Sequence, residues 1–405
     1  MSRRCVPLAL LLALAVVSPA PAKIVLLASG TIPGDATDLS GLKDKLPDGT
    51  PHNQLGSMGS GIAWTGDGNR YVMIADRGPK DGAVPFLCRF HTFDIPVKTG
   101  EAIKPRLLDT VLLTGVAGKP YVGLATAFDA GGKDGLRLDP EGVRVARNGN
   151  LFVSDEYGPF LIEFDRRGKQ LRLLKVPEKF EVAVPGGTGA EERKNNKSGR
   201  QPNRGMEGLA ISPDGGKLYG IMQSVLMQDG DLDPKKGYVT GVNIRILEID
   251  TKTEATREFI YPMDDPRYGI NEMLAINDHE FLVLERDNKA GKEAAFKKLF
   301  RIDVGGASDV SKVAKLPAKG LPAGVKAVTK TVFLDLLDPT LGLAGKDFPE
   351  KVEGMAFGPD LPDGRRLLLL TSDNDMEAKE PTWFFAFAID KDDLPGYKPQ
   401  TFDKR

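Results

Sequence analysis

The chain has 405 residues, of which 55 are basic and 56 acidic, for a net charge of −1. Near-neutrality speaks against a general nucleic-acid binder, which carries a basic excess, and 41% hydrophobic with 27% charged residues speaks against wholesale disorder. The 46 glycines and 29 prolines favour many short strands joined by turns, two cysteines exclude a disulfide-dense scaffold, and three histidines leave little room for histidine-based metal or triad chemistry.

The N-terminus reads as a secretory signal. Arg3 and Arg4 precede an apolar run from Val6 to Val17, and Ala20-Pro21-Ala22 forms a small-x-small cleavage site. The run is too short to span about 30 Å of hydrocarbon. The expected organisation is a signal peptide over 1–22 and one domain over 23–405, periplasmic or secreted, with no membrane span after cleavage.

The remainder repeats. Five segments share one pattern, a short apolar strand, a polar turn and a second apolar strand ending in charge: 60–77, 141–156, 207–224, 272–287 and 353–373. Their turns contain Asp67-Gly68, Asn148-Gly149, Asp214-Gly215, Asn277-Asp278 and Asp363-Gly364, dipeptides that tolerate the positive φ of tight hairpins. Aligning Gly61, Gly142, Gly208, Met273 and Gly354 gives spacings of 81, 66, 65 and 81 residues. Further strands follow each hairpin, which makes about four per repeat, the signature of a β-propeller blade. The expected fold is therefore all-β, a propeller of five blades, with six as the alternative. The last repeat lacks a fourth strand, and KIVLLASGTI at 23–32 is placed to supply it and close the ring.

In such a ring the opening of each first strand and the exit of its hairpin partner lie side by side on one face. The openings carry Glu141, Glu207, Glu272 and Glu353, and the exits add Asp155, Glu156 and other acids. Many carboxylates at one channel mouth need a cation or basic neighbours, and hard oxygen ligands select Ca²⁺ or another hard divalent cation. The metal ligands expected are Glu141, Glu207, Glu272 and Glu353; the competing reading makes them a structural ring, each paired with an arginine. Asp155 or Glu156 is the expected catalytic base, and Arg77, Arg204 and Arg286 the expected substrate-binding anion clamp. The linker 185–204, with five basic and two acidic residues, is either a basic flap over this mouth or a solvated loop. There is no G-x-S-x-G elbow to suggest a serine esterase.

The run LDPEGVRVARNGNLFVSDEYGPFLIEFDRRGK, with GMEGLAISPDGGKLYGIMQS, INEMLAINDHEFLVLERD and VEGMAFGPD, resembles the bacterial phytase-like family described as having esterase-like activity, over roughly 55–390. The resemblance implies an extracytoplasmic propeller acting on phosphate or other esters. EGVRVARNGNLFVSDE is also similar to the opening of sugar lactonases of the gluconolactonase and regucalcin type. In those a glutamate binds the catalytic cation and Asn and Asp from other blades complete the site. Three readings follow: a divalent-dependent hydrolase of a small anionic (phospho)ester, a non-catalytic calcium-stabilised propeller that binds a ligand or protein, and a sugar lactonase.

Overall fold

The second strands of the repeats, such as Lys217–Met222 and Arg366–Asp373, are buried at every position after the first, with apolar cores such as Leu367–Leu370. Such strands are packed on both faces. The outer strands alternate instead: Gln170–Leu174 exposes every second residue along its first four. This gradient from apolar to alternating is that of a blade sandwiched between two neighbours. The computed structural model, which describes residues 24–128, 135–158, 160–235 and 237–403, shows five four-stranded antiparallel blades. The signal peptide expected over 1–22 lies outside the described residues.

Blade 1 comprises Gly61–Trp64, Arg70–Ile74, Arg89–Asp94 and Arg106–Leu112. Blade 2 comprises Pro140–Val145, Leu151–Asp155, Leu161–Phe164 and Gln170–Leu174. Blade 3 comprises Met206–Ile211, Lys217–Met222, Asn243–Asp250 and Thr256–Pro262, and blade 4 Gly269–Ala275, Glu280–Arg286, Lys297–Asp303 and Thr329–Asp335. Blade 5 takes Lys351–Phe357, Arg366–Asp373 and Thr382–Ile389 from the C-terminal end and Val25–Ile32 from the N-terminal end. The ring is thus closed by the N-terminal strand, as the missing fourth strand required. Hydrophobic clusters lie between successive blades, for example Ile74, Val143 and Val153 between blades 1 and 2. Each such buried aliphatic side chain contributes about 1.5–3 kcal/mol.

The recurrent glycine beside the glutamate has a packing cause. A Cβ on Gly208 would lie 2.8 Å from the backbone of Glu272 and Met273 in blade 4, and one on Gly61 would lie 2.4 Å from the Glu141 carbonyl. At these glycines the neighbouring first strand approaches too closely for a side chain.

The face bearing the hairpin turns is strapped by the C-terminal tail. Lys398, Thr401 and Asp403 donate backbone hydrogen bonds to Ile276, Pro213 and Arg147 of blades 4, 3 and 2. Phe402 packs edge-on against Trp64 of blade 1, and Tyr397 against Phe357 of blade 5. Among the described residues, no helix is long and apolar enough to cross a membrane.

Candidate active site at the channel mouth

Every first strand of blades 2 to 5 carries a β-bulge where it reaches the mouth. A bulge places two residues opposite one and re-aims a side chain, which is why bulges gather beside sites. Glu141 and Gly142 oppose Ser154, Glu207 is the extra residue between Met206 and Gly208, and Glu353 and Gly354 oppose Thr371. In blade 4 the extra residue is Asn271, because Ile270 pairs with Glu285 and Glu272 with Leu284. Asn271, not Glu272, is therefore equivalent to Glu141, Glu207 and Glu353. Glu272 occupies the position held by glycine in the other blades, which corrects the alignment of Met273 with those glycines. A one-residue slip turns a strand side chain to the opposite face. Glu272 accordingly does not line the mouth: it is fully buried, accepts hydrogen bonds from the Leu209 and Met273 N–H groups, and meets Arg144 at 2.9 Å.

The same pairing aligns the hairpin exits. Asp76, Glu156, Gln223, Arg286 and Asp373 each lie two residues beyond the partner of the glycine position. Two concentric rings result, Glu141, Glu207, Asn271 and Glu353 with Ser60 inside, and the five exit residues around them. A cavity of about 340 Å³ opens on them, lined by Glu141, Glu156, Glu207, Asn271, Glu353 and Arg204 among others.

Asp155 and Glu156, interchangeable in sequence, part here. The Asp155 carboxylate is fully buried and accepts from the N–H groups of Asp139 (2.7 Å), Tyr157 (3.2 Å) and Gly158 (2.6 Å), so it shapes the loop and does not line the cavity. Burial pushes its carboxyl up to about 6, against those hydrogen bonds. Glu156 does line the cavity, accepting from the Gly205 N–H and pairing with Arg77 at 3.3 Å. Burial, with Asp139 adding to it, pushes Glu156 up to about 7.

The arginines divide likewise. Arg77 is buried and pairs with Asp139, Glu156 and Asp81, and Arg286 is buried and donates to Glu353 at 2.7 Å. Both neutralise the acidic floor, the arrangement of the competing structural reading. Arg204 is half-buried, stacks over the Tyr238 ring at 5.0 Å, and has no carboxylate partner among the described residues. Asp139 was not expected: with Glu141 and Glu156 it offers oxygens all within 4.8 Å of one another. Asp76, Asp373 and Asp375 form a second such group, held by Lys351.

The inner ring leaves oxygens unsatisfied. Glu207 accepts from Gln223 and, at 3.4 Å, from Asn271, while its Oε2 is buried without a donor. Asn271 donates to Glu207 and Glu353, while its Oδ1 is buried without a partner. The Glu141 carboxylate has no hydrogen-bond donor among the described residues. Burial first, then neighbouring carboxylates, push Glu141 and Glu207 well above the usual range. Orphaned carboxylate and amide oxygens with raised proton affinity fit a hard divalent cation.

Fold and site together define a five-bladed propeller with an acidic channel mouth rimmed by guanidinium groups. The chain belongs to the phytase-like family described as esterase-like activity of phytase, whose family model matches residues 53–376. An uncharacterised secreted protein of Arthroderma benhamiae is 29% identical over 333 residues, covering 66% of this chain and 64% of the relative. The chain thus spans less than two thirds of that protein's length. Among solved structures it is similar to regucalcin, a calcium-binding protein of Agrobacterium tumefaciens, at 9% identity over 94% of this chain and 99% of that one, with a TM-score of 0.39. It is also similar to a gluconolactonase of Xanthomonas campestris, at 11% identity over 91% and 99%, with a TM-score of 0.35. These distant likenesses carry nothing about function.

Proposed function

We propose that this protein is an extracytoplasmic, divalent-cation-dependent hydrolase of a small anionic (phospho)ester. The observation that carries this reading is the pair of buried oxygens without a partner, Glu207 Oε2 and Asn271 Oδ1, on residues that line one cavity with Glu141, Glu353 and several arginines. Glu141, Glu207, Asn271 and Glu353 would hold the cation, which when bound polarises an ester oxygen and acidifies a water. Glu156, the cavity-lining carboxylate with a proton affinity near neutrality, is placed to accept a proton from that water. Arg77, paired with Glu156 at 3.3 Å, holds that carboxylate in one orientation. The name of the fungal relative and the signal-like N-terminus support an extracytoplasmic location.

The test is turnover of a panel of small phosphate, carboxylate and lactone esters with and without Ca²⁺, Mg²⁺ and Mn²⁺. Metal-dependent turnover that is lost in folded Glu207→Gln supports the proposal. No turnover above a heat-inactivated control with any metal would sink it and leave a ligand-binding propeller.

A further inference from the structure

We infer that the linker between blades 2 and 3 is the specificity element of this mouth, with Arg193 and Arg204 as the pair of guanidinium groups that grips the oxyanion of the ligand. This rests on the hydrolase reading only for what happens after binding.

The linker is an ordered cover. Its helix, Gly189–Asn195, starts at Thr188 with a capping box to Glu191. Glu192 is buried and accepts hydrogen bonds from the guanidinium groups of Arg137 at 3.3 Å and Arg200 at 2.9 Å, and Asn196 ties back to Val184. Gln201 is buried and bonds Ser224, Val225 and Val239 of the blade 3 segment. The turn Gln201–Arg204 is closed by the Arg204 N–H on the Gln201 carbonyl at 3.1 Å, with Pro202 second and Asn203 third at φ 55°. Pro followed by a residue of positive φ is the type II pattern, and it fixes where Arg204 leaves the backbone. The linker therefore spends Arg200 on its own anchoring and turns Arg193, Asn203 and Arg204 toward the cavity.

Arg193 and Arg204 are both half-buried cavity-lining residues, and neither enters an ion pair among the described residues. The other cavity arginines, Arg77 and Arg286, are committed to acids of the floor. Two guanidinium groups with unused planar donor forks match two oxygens of one oxyanion, phosphate or carboxylate. A phosphate held there keeps further oxygens, and a carboxylate the remaining lone pairs of its two oxygens, to meet a cation on the floor. Charge selection is thus assigned to the linker and cation binding to the ring.

The experiment is isothermal titration of inorganic phosphate and, separately, of malonate into the wild-type chain, Arg193→Ala, Arg204→Ala and the double variant, with Ca²⁺ affinity and thermal unfolding measured on each. We expect one of the two anions to bind and to lose roughly ten- to a hundredfold in affinity per substitution, while Ca²⁺ affinity and the unfolding midpoint hold. Which anion binds separates a phosphate from a carboxylate ligand. Absence of binding of both anions by the wild type, or unchanged binding by a folded double variant, overturns the inference. Because binding is read without turnover, a clamp that fails in an active hydrolase and a clamp that works in an inactive one are distinguishable.

Discussion

Arg144 of blade 2 reaches across the channel to Glu272 of blade 4, Nη2 to Oε2 at 2.9 Å, and also donates to the Ile62 and Met273 carbonyls of blades 1 and 4. Three blades are thereby pinned beneath the mouth. Arg144 also lines a small pocket on the side of the C-terminal strap, with Tyr397, Lys398 and Gln400, away from the mouth cavity. Removing one partner of a buried pair leaves an uncompensated charge, so Arg144→Ala should cost about 3–5 kcal/mol. Burial outweighs Arg144 and pushes Glu272 up to about 7. The native state thus binds more protons than the unfolded chain between the ordinary glutamate value of 4.5 and about 7, and the stability this confers at low pH is lost as pH rises through 7. Denaturant unfolding of Arg144→Ala should therefore show a larger loss at pH 8 than at pH 5.

As the proposed base, Glu156 would work only when deprotonated. With its carboxyl raised to about 7, turnover should rise with pH and level off above that value, or below it once a cation lies nearby. Glu156→Gln should lower kcat by about 10²–10⁴ with little change in KM. Full activity in a folded Glu156→Gln protein would remove it from the mechanism.

Metal uptake should release protons. Glu141 and Glu207 hold theirs well above the usual range because of burial and mutual repulsion, and a cation must displace them. Calorimetry of Ca²⁺ binding in buffers of different ionisation enthalpy should show that release near neutral pH, with affinity rising as pH rises. Chelation should lower the unfolding midpoint, by an amount equivalent to about 2.7 kcal/mol when the cation stood at 100 times its Kd.

The ring glycines test the packing account. Gly208→Ala puts a Cβ 2.8 Å from the blade 4 backbone and should cost roughly 1–3 kcal/mol, because backbone cannot swing aside. Gly68→Ala, in a hairpin turn at φ 50° with nothing within 4 Å, should cost roughly 1 kcal/mol from backbone strain alone. No measurable loss in Gly208→Ala would contradict the close approach of first strands.

The five blades and their closure were legible because hairpin turn dipeptides and contiguous apolar second strands recur under any reading of register. That Glu141, Glu207 and Glu353 line one cavity was legible for the same reason. Asn271 was not. The blade 4 hairpin is closed by Ile276 on Glu280, one residue shorter than Ser212 on Lys217 in blade 3, so matching the Leu-Ala-Ile runs shifts the blade by one and brings Glu272 forward in its place. Aligning the exits, where Arg286 corresponds to Glu156, would have exposed the slip. Asp155 and Glu156 could not be told apart because adjacent residues turn to opposite sides, and the N–H groups of Asp139 and Gly158 that claim the Asp155 carboxylate leave no mark in the composition. The order of the linker was half-written: Thr188 and Glu191 spell a capping box, but the contacts of Glu192 with Arg137 and Arg200 are long-range and leave no local pattern.

The central claim is a cation on the inner ring, and locating it tests that claim most directly. A crystal grown or soaked with Mn²⁺ should show anomalous density within about 2–2.5 Å of oxygens of Glu141, Glu207 and Asn271, and Glu207→Gln should abolish it while the ring stays folded. Density confined to Asp76, Asp373 and Asp375, or none at the mouth at all, would contradict it.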